Sequence, residues 1–383
     1  MTSRTAHPVL TRRQLNRATL ARQLLLERAD LDIVTATERI GGLQAQEPAS
    51  PYIGLWTRMA EFKAADLDRA IAERAVVKGT LMRSTLHLVS AADYLHFWPA
   101  VFAMIEGIRR QDRVQPPSVD QLALLTARAE SFTAEPRALS ELRDHLGQSD
   151  GLTPDEVVWW IRRRVAFAHA PSEVSWSFGR RPRLAHALAW LGADTWPASD
   201  LAVERLVRRY LGAFGPATAA DLGQWSGVAV GKLRPGIAAV EATGDLRRFT
   251  DERGRELLDL EGSPLPDADT PAPPRLLAMW DSPLLAFADR TRLISDDDRR
   301  VVIARNGDTL PTFTVDGAVA GLWWAEAAPG GRPRIVIEPF RPPLRRAEAR
   351  ALEEEAERLA DFVSPIEPAV YSRYQRWRQT ARS

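Results

Sequence analysis

Apolar positions recur at helical spacing through most of the first 260 residues and alternate at strand spacing towards the carboxy terminus. Three times, helical segments with one apolar face lead into short alternating runs, at 76–89, at 165–183 and at 246–260. Helices followed by a pair of strands are the order of a winged helix-turn-helix. The periodicity therefore predicts an α+β fold with three tandem winged helix-turn-helix units.

The changes of pattern along the chain predict domain boundaries. We expect the three winged units at 1–115, 116–197 and 198–262, with Pro235 starting the last helix of the third unit. Residues 263–274, rich in proline and aspartate, predict a linker to a final part at 275–383. In that part the apolar runs predict six strands and, from them, a small β-barrel. The strands are expected at 275–279, 284–288, 301–304, 312–315, 318–324 and 334–338.

Two further features complete the carboxy-terminal prediction. The dipeptide Asp316-Gly317 between two of the predicted strands is a strong signal for a two-residue hairpin turn. An apolar stripe predicts a helix that covers the barrel, with 353–355 facing solvent. Its members are Leu352, Ala356, Leu359 and Val363.

The stretch 41–56 carries the leading candidate for chemistry. Gln44 and Gln46 follow the glycine pair that ends a predicted helix, and they precede two prolines. If this run is extended, alternate side chains point the same way, so both amides can reach one point. The competing interpretation is that the amides bond the last helix carbonyls or face water. Glu47 is a nearby carboxylate that could serve instead, although its side chain should point away from the pair.

Two groups of basic residues are candidates for contact with an anionic partner. Arg83 and His87 are predicted to share one face of the strand at 76–89, which is either a solvated face or the lining of a binding channel. Arg180, Arg181 and Arg183 lie on the predicted wing of the second unit, beside aromatic residues. Phosphate contact is one interpretation of this wing, and an ordinary surface is the other.

Composition limits the kinds of partner and of site that the protein can have. The 51 basic and 50 acidic residues nearly cancel, so a polyanion would have to meet a local patch rather than a net charge. All but three of the basic residues are arginine, which suits phosphate recognition but equally follows from a genome rich in G and C. The absence of cysteine excludes disulfides, thiolate metal sites and a cysteine nucleophile, and it favours a cytoplasmic protein.

Metal and membrane signals are weak. The six histidines are dispersed without ligand-like spacing, and the acidic run 296–298 is more typical of a solvated loop or a helix start than of a metal site. No segment approaches the ~20 apolar residues of a membrane helix. We therefore expect neither a metal, nor another cofactor, nor a membrane partner.

Several motifs, taken in order, resemble those of the AlkZ/YcaQ family of bacterial winged-helix DNA glycosylases. They are Gly42-Leu43-Gln44-Ala45-Gln46, the segment Met82 to Val89, Phe214-Gly215-Pro216-Ala217-Thr218 with Asp221, Trp225-Ser226-Gly227, Asp289-Arg290 and Pro311-Thr312-Phe313. Each motif is weak alone, but the ordered set spans almost the whole chain. The resemblance is to the branch with a Gln-x-Gln motif rather than to the branch with Gln-x-Asp.

The resemblance implies a function. It implies three winged helices and a β-barrel around a DNA channel, and the excision of alkylated purines from double-stranded DNA, including crosslinked ones, by a monomer. It also implies that Gln44 and Gln46 position the attacking water. Neutral amides suffice on chemical grounds, because a purine alkylated at N7 is already cationic and leaves without protonation. The alternatives are a non-catalytic winged-helix regulator, and a scaffold whose winged helices bind protein.

Overall fold

The structure, a computed structural model, describes residues 7–108, 117–149, 151–328 and 331–374. It confirms a mixed α+β fold. The boundary predicted between 115 and 116 lies outside the described residues. The helices and strands below are numbered in chain order.

The strands form three sheets. Their bounds are β1 Val9–Leu10, β2 Leu43–Gln44, β3 Val76–Thr80, β4 Leu86–Ser90, β5 Arg137–Ala138, β6 Phe167–Ala170, β7 Arg183–His186, β8 Leu246–Asp251, β9 Glu256–Leu260, β10 Arg275–Leu277, β11 Thr312–Val315, β12 Ala318–Glu326 and β13 Arg334–Pro339.

The helices account for most of the rest of the described chain. Their bounds are α1 Arg12–Arg22, α2 Ile33–Arg39, α3 Ala49–Arg58, α4 Ala64–Ala72, α5 Ala91–Glu106, α6 Val119–Phe132, α7 Leu139–Leu146, α8 Pro154–Arg164, α9 Ala187–Leu191, α10 Ser199–Phe214, α11 Ala219–Ser226, α12 Val230–Ala242, α13 Asp296–Val302 and α14 Arg346–Val363.

The largest sheet has six strands in the order β2-β4-β3-β6-β7-β5. Its neighbouring strands are antiparallel, and the pairing of Lys78 with His169 joins β3 to β6. The strand pairs expected as the wings of the first two units are thus parts of one continuous sheet. The short strand β2, which carries Gln44, forms one edge of it.

The segment predicted as the third unit contains helices α10 to α12 followed by the hairpin β8–β9, and β1 adds in parallel to β8. The prediction that Pro235 begins the last helix is wrong, because α12 already begins at Val230. Proline lacks the amide hydrogen that a helix interior uses. Here the helix continues past that missing bond, since Leu233 and Val240 on either side are fully buried in the core.

The carboxy-terminal strands form an open four-stranded sheet in the order β10-β11-β12-β13, and within the described residues no barrel closes. The hairpin turn at Asp316-Gly317 is confirmed, with positive φ at both residues. Two predicted strands are wrong. Residues 284–288 follow a 3-10 turn at Ser282–Leu284, and Val301 belongs to α13. The oxygen of Ser295 accepts the amide hydrogen of Asp298, and this cap together with three aspartates in the first turn favours a helix.

Helix α14 packs its apolar stripe onto this sheet as predicted, with all four stripe residues buried. The prediction that 353–355 all face solvent is wrong for Glu355, which is buried and pairs with Arg28 at 2.6 Å. A helix stripe is wider than the apolar positions alone, so a partnered carboxylate can lie at its margin. Residues 263–274 contain no helix or strand, as expected of a linker, and Arg22 donates to Pro264 O.

Candidate active site

A glycine pair sets the direction of the candidate catalytic stretch. Gly41 and Gly42 both have positive φ, at 76° and 85°, which side chains disfavour and glycine tolerates. A Cβ on Gly42 would lie 2.7 Å from a methyl group of Val89, so the turn also needs the absence of a side chain. The turn ends α2 and feeds the chain directly into β2 at the sheet edge.

The extended conformation expected after this turn is present. Gln44 pairs with His87 across β2 and β4, and the amide of Ala45 continues the ladder by donating to Leu86 O at 2.7 Å. Residues that are directly paired project to the same face of a sheet. Gln44 and His87 therefore lie side by side, and both are buried.

Arg83 lies in a sharp break between β3 and β4 rather than within one strand. The expectation that Arg83 and His87 share a strand face is wrong, because residues 82–84 form a 3-10 turn and both Arg83 and Ser84 have positive φ. Left-handed backbone at residues other than glycine costs about 1–3 kcal/mol each and concentrates at functional sites. The break turns the Arg83 side chain back over the sheet edge towards Gln44.

The Arg83 guanidinium connects three parts of the chain. Its Nη2 donates to Oε1 of Gln44 at 2.7 Å, and its Nη1 donates to the carbonyl of Trp225 in the last turn of α11. That carbonyl is one of the four that a helix end leaves without an internal partner. Burial, and then the neighbouring Arg290, lower the pKa of Arg83 to about 10, so the group remains a cation at neutral pH.

His87 is a neutral member of this cluster. Its Nδ1 is 3.0 Å from Thr85 O, an acceptor, so Nδ1 carries the hydrogen and Nε2 presents a lone pair 3.4 Å from Arg83. Burial, and then the charge of Arg83, lower the pKa of His87 to about 3. The ring is 2% exposed, so it supports the Arg83 guanidinium from beneath and does not form a solvated face.

Gln46 is exposed, and its side chain folds back onto β4. Its Oε1 accepts the backbone amide hydrogen of Leu86 at 2.8 Å. The carboxylate of the next residue, Glu47, is occupied elsewhere, by an ion pair with Arg373 and a 3.3 Å hydrogen bond from Tyr374. Glu47 thus points away from the glutamine pair, as expected for an extended run.

The orientation of both amides follows from their partners. A guanidinium and a backbone N–H can only donate, so the carbonyl oxygen of each glutamine must face its partner. Among the described residues, no acceptor contacts Nε2 of Gln44 or Nε2 of Gln46. The polar groups that the pair presents outward in this conformation are therefore two NH2 donors. The sequence alone did not predict this orientation of the amides.

The other predicted basic group lies apart from the glutamines. Arg180, Arg181 and Arg183 are exposed where the chain returns into β7, and Arg183 donates to Pro136 O at 2.7 Å. Four strand steps separate β2 from β7, a distance of roughly 19 Å. The structure thus brings together Gln44, Arg83 and His87, with Gln46 two residues further along the chain, and it leaves the arginine wing at another part of the same sheet.

Sequence reasoning missed the contribution of α11 and of the loop before α13. A Cβ on Gly227, just after α11, would lie 3.0 Å from the Arg83 backbone, which shows how closely these segments pack. Asp221 in α11 accepts the amide hydrogen of Ala288 at 2.8 Å and so fixes the loop that carries Arg290. The motif containing Asp221 was noticed in the sequence, but periodicity gave no sign that it would meet the glutamine strand.

The described residues meet neither the requirements of a metal site nor those of a membrane-spanning helix. Within the described residues, there is no group of three histidine, aspartate or glutamate side chains placed to hold a metal ion. None of the described helices combines the length and the apolar character that spanning a membrane requires. The pair Asp281 and Arg58, 2.5 Å apart, is a fully buried ion pair behind α3 and not an open site.

Comparison with known proteins gives consistent matches. The profile of the family described as DNA glycosylase AlkZ-like matches residues 37–362. An interstrand DNA cross-link repair glycosylase from Streptomyces sahachiroi is 26% identical over 363 residues, covering 89% of this chain and 93% of that protein. The solved structure of the Streptomyces sahachiroi DNA glycosylase AlkZ superposes with a TM-score of 0.76 at 22% identity, covering 92% of this chain and 97% of that one.

Proposed function

The chain belongs to the AlkZ-like DNA glycosylase family, and on this premise we propose that it hydrolyses the N-glycosidic bond of N7-alkylated purines in double-stranded DNA. Family membership favours this enzymatic hypothesis over the regulator and the scaffold. We further propose that it acts as a cytoplasmic monomer and that it unhooks interstrand crosslinks. The relative from Streptomyces sahachiroi is named for that repair.

The observation that supports the proposal best is the amide pair at the edge of the six-stranded sheet, with one amide buried and the other exposed. A crosslinked base is tethered to both strands and cannot be flipped into a deep pocket, so its site must be open. Gln46 is exposed, and Gln44 beside it is held by a partly buried cation, Arg83. A cationic N7-alkylated purine requires no protonation to leave, which suits a pair that does not titrate.

The two amides have different roles in the proposed mechanism. Gln44 is locked by Arg83 and presents its NH2 group, which donates to the oxygen of the attacking water. Gln46 holds only a neutral, exposed hydrogen bond from Leu86, worth about 1 kcal/mol, which a bound water can replace. Its freed Oε1 then accepts a hydrogen bond from that water. One donor and one acceptor leave a lone pair on the water for attack on the oxocarbenium-like sugar.

This division of roles agrees with the two forms of the family motif. Glutamine and aspartate alternate at the second position in the Gln-x-Gln and Gln-x-Asp branches. Both side chains offer an acceptor oxygen, and only glutamine offers an NH2 donor. The property they share is therefore the acceptor that we assign to Gln46.

The remaining site residues fit a DNA channel around this pair. We propose that Arg180, Arg181 and Arg183 contact phosphates at a distance from the lesion, since all three are exposed. Direct DNA contact by Arg83 and His87 stays a prediction, because both side chains are engaged with protein atoms in this conformation.

The domain organisation is part of the same proposal. We propose that residues 1–115, 116–197 and 198–262 are tandem winged helices and that the linker 263–274 joins them to residues 275–383. The open carboxy-terminal sheet would then form a wall of the channel.

The test is single-turnover base release from duplex DNA that carries one N7-methylguanine. We expect Gln46→Ala and Gln44→Ala each to lose about 10²-fold in rate, the usual cost of removing one positioned hydrogen-bonding group. Gln46→Glu should retain much of the rate because it keeps an acceptor, whereas Gln44→Glu should not because it lacks the donor. Gln224→Ala, an exposed glutamine on α11, is the control. No release by the wild type, or undiminished release by Gln46→Ala, would disprove the proposal.

A further inference from the structure

A cleft of about 700 Å³ opens beside the glutamine site, between α11, the β8–β9 turn and the loop before α13. Four arginines line it, namely Arg253, Arg255, Arg290 and Arg299. Four carboxylates line it as well, so the formal charge of the lining is balanced. What distinguishes the arginines is whether a carboxylate contacts them.

Each lining carboxylate is engaged by the protein. Asp289 accepts from Arg253 at 2.9 Å and from Arg255 at 3.0 Å. Glu256 pairs with Arg248 at 2.9 Å, and Asp296 lies 3.6 Å from Arg299. The fourth, Asp221, accepts from Thr218 and Ala288. These contacts leave Arg290 as the one lining arginine, among the described residues, without a carboxylate partner.

The guanidinium of Arg290 also lacks hydrogen-bond partners within the described residues. Its Nε is shielded from solvent and has no hydrogen-bond partner, and no acceptor in the described chain contacts the rest of its guanidinium. Buried polar groups in proteins are nearly always hydrogen-bonded, and an unpaired one costs about 1–3 kcal/mol. Arg290 therefore offers donors that an anion entering the cleft could use.

The neighbours of Arg290 add to the positive charge there. Burial, and then Arg299, lower the pKa of Arg290, and Arg290 in turn contributes to the lowered pKa of Arg83. Arg83, Arg290 and Arg299 are thus near enough for their like charges to repel one another. An oxyanion between them would relieve the repulsion and satisfy the unused donors.

We propose that Arg290, assisted by Arg299, binds a backbone phosphate of the damaged DNA strand close to the lesion nucleotide. The inference rests on the proposed function, because it takes Gln44 and Gln46 as the site of the lesion. It adds a residue that fixes the register of the strand relative to those glutamines. The ligand chemistry is a phosphodiester oxyanion, held by the forked donors of arginine.

The first test measures how DNA affinity depends on salt. Fluorescence anisotropy of the full chain with lesion-bearing duplex, over a series of NaCl concentrations, should show Arg290→Gln binding about tenfold more weakly than the wild type. The slope of log K against log [NaCl] should fall by about 0.9, the value for one phosphate contact. Arg300→Gln is the matched control, since Arg300 is an exposed arginine on neighbouring α13 that pairs with Asp297. An unchanged slope for Arg290→Gln would overturn the inference.

The second test locates the phosphate. Single phosphates of the damaged strand are replaced in turn by neutral methylphosphonates, and we expect one position beside the lesion to cost the wild type about tenfold in affinity. Arg290→Gln should lose nothing more at that position. A flat scan, or equal losses in both proteins, would contradict the proposal. Inorganic phosphate that raises the Tm of the wild type but not of Arg290→Gln, together with a flat scan, would assign the site to free phosphate instead.

Two further measurements separate the possible failures. Arg290→Lys keeps a cation and should keep the salt slope, so it tests the site even if Arg290→Gln is unstable. Base release and DNA binding are measured on the same preparations. A wild type that binds no DNA would refute the proposed function and this inference together, whereas base release with an unaltered Arg290→Gln slope would refute only the inference.

Discussion

Replacement of Arg83 by methionine should separate activity from stability. Methionine keeps the length and apolar stem of the side chain but removes the guanidinium that donates to Gln44 and to Trp225 O. Arg74→Met provides a matched control. Arg74 also has positive φ and also donates to a backbone carbonyl, that of Trp190, but it is exposed and lies elsewhere.

Opposing terms make the expected stability change small. Each lost hydrogen bond from a charged donor is worth about 1.5–3 kcal/mol. Against this, burial and then Arg290 lower the pKa of Arg83 from its usual range to about 10, which corresponds to about 3 kcal/mol of penalty for holding the cation in the folded protein. The free energy of unfolding should therefore fall by no more than about 3 kcal/mol.

The effect on catalysis should be larger than the effect on stability. Without an obligate donor at its carbonyl, the Gln44 amide can flip and present oxygen instead of NH2 to the water. Misplacement of a positioning group costs about 10²-fold in rate, so base release from N7-methylguanine DNA should fall by about that factor. Arg83→Lys should recover only part of the loss, because lysine cannot contact both carbonyls as a fork.

The assay combines single-turnover base release with urea unfolding of the same variants. An Arg83→Met protein that stays folded and releases base within threefold of the wild-type rate would refute the assignment of Arg83 as a positioning residue. If the rate falls only in proportion to the fraction of folded protein, Arg83 has a structural role alone and the assignment is likewise refuted. Arg74→Met should leave the rate unchanged.

Two further predictions concern stability. Burial lowers the pKa of Lys78 from 10.5 to about 8, so between these pH values the unfolded chain holds more protons than the folded protein and stability rises with pH. By urea unfolding, Lys78→Met should be more stable than the wild type at pH 7 by about 1–3 kcal/mol, and this gain should vanish above pH 10.5. Lys63→Met, at an exposed position, should show no such gain. Arg58→Met should lower the free energy of unfolding by about 3–5 kcal/mol, because it leaves Asp281 charged and buried; a recovery of stability in the double variant with Asp281→Asn would be consistent, and an unaffected single variant would contradict it.

The local conformation of the glutamine stretch could be predicted, but its chemistry could not. Two glycines followed by an alternating run indicate a turn and an extended segment, and both are present. The orientation of the Gln44 amide depends on a donor, Arg83, that lies 39 residues further along the chain, and on a backbone break with two left-handed residues. The alternation of apolar residues predicts a continuous strand at 76–89. Nothing in that alternation shows that Arg83 lies in a turn and not in a paired strand.

The errors at the carboxy terminus have a different cause. An apolar run such as 301–304 is compatible with strand or helix, and its type was decided by the polar residues before it. Ser295 and the three aspartates that follow are a helix start, which overrides the β propensity of the two valines. Glu355 shows the same limit, because its burial depends on Arg28 from the other end of the chain.

The site is formed where distant segments meet, and this constrains how the protein can work. The reacting amides come from β2, their support from the β3–β4 break, the acceptor for that support from α11, and the unpartnered arginine from the loop before α13. Asp221 ties α11 to that loop through Ala288. Because α11 is bonded both to Arg83 and to that loop, these contacts hold Arg83 and Arg290 at a fixed separation. If Arg290 holds the DNA strand and Arg83 holds Gln44, one rigid connection through α11 keeps the phosphate and the water-binding amide in register, so that lesion position is set by the protein without a deep pocket.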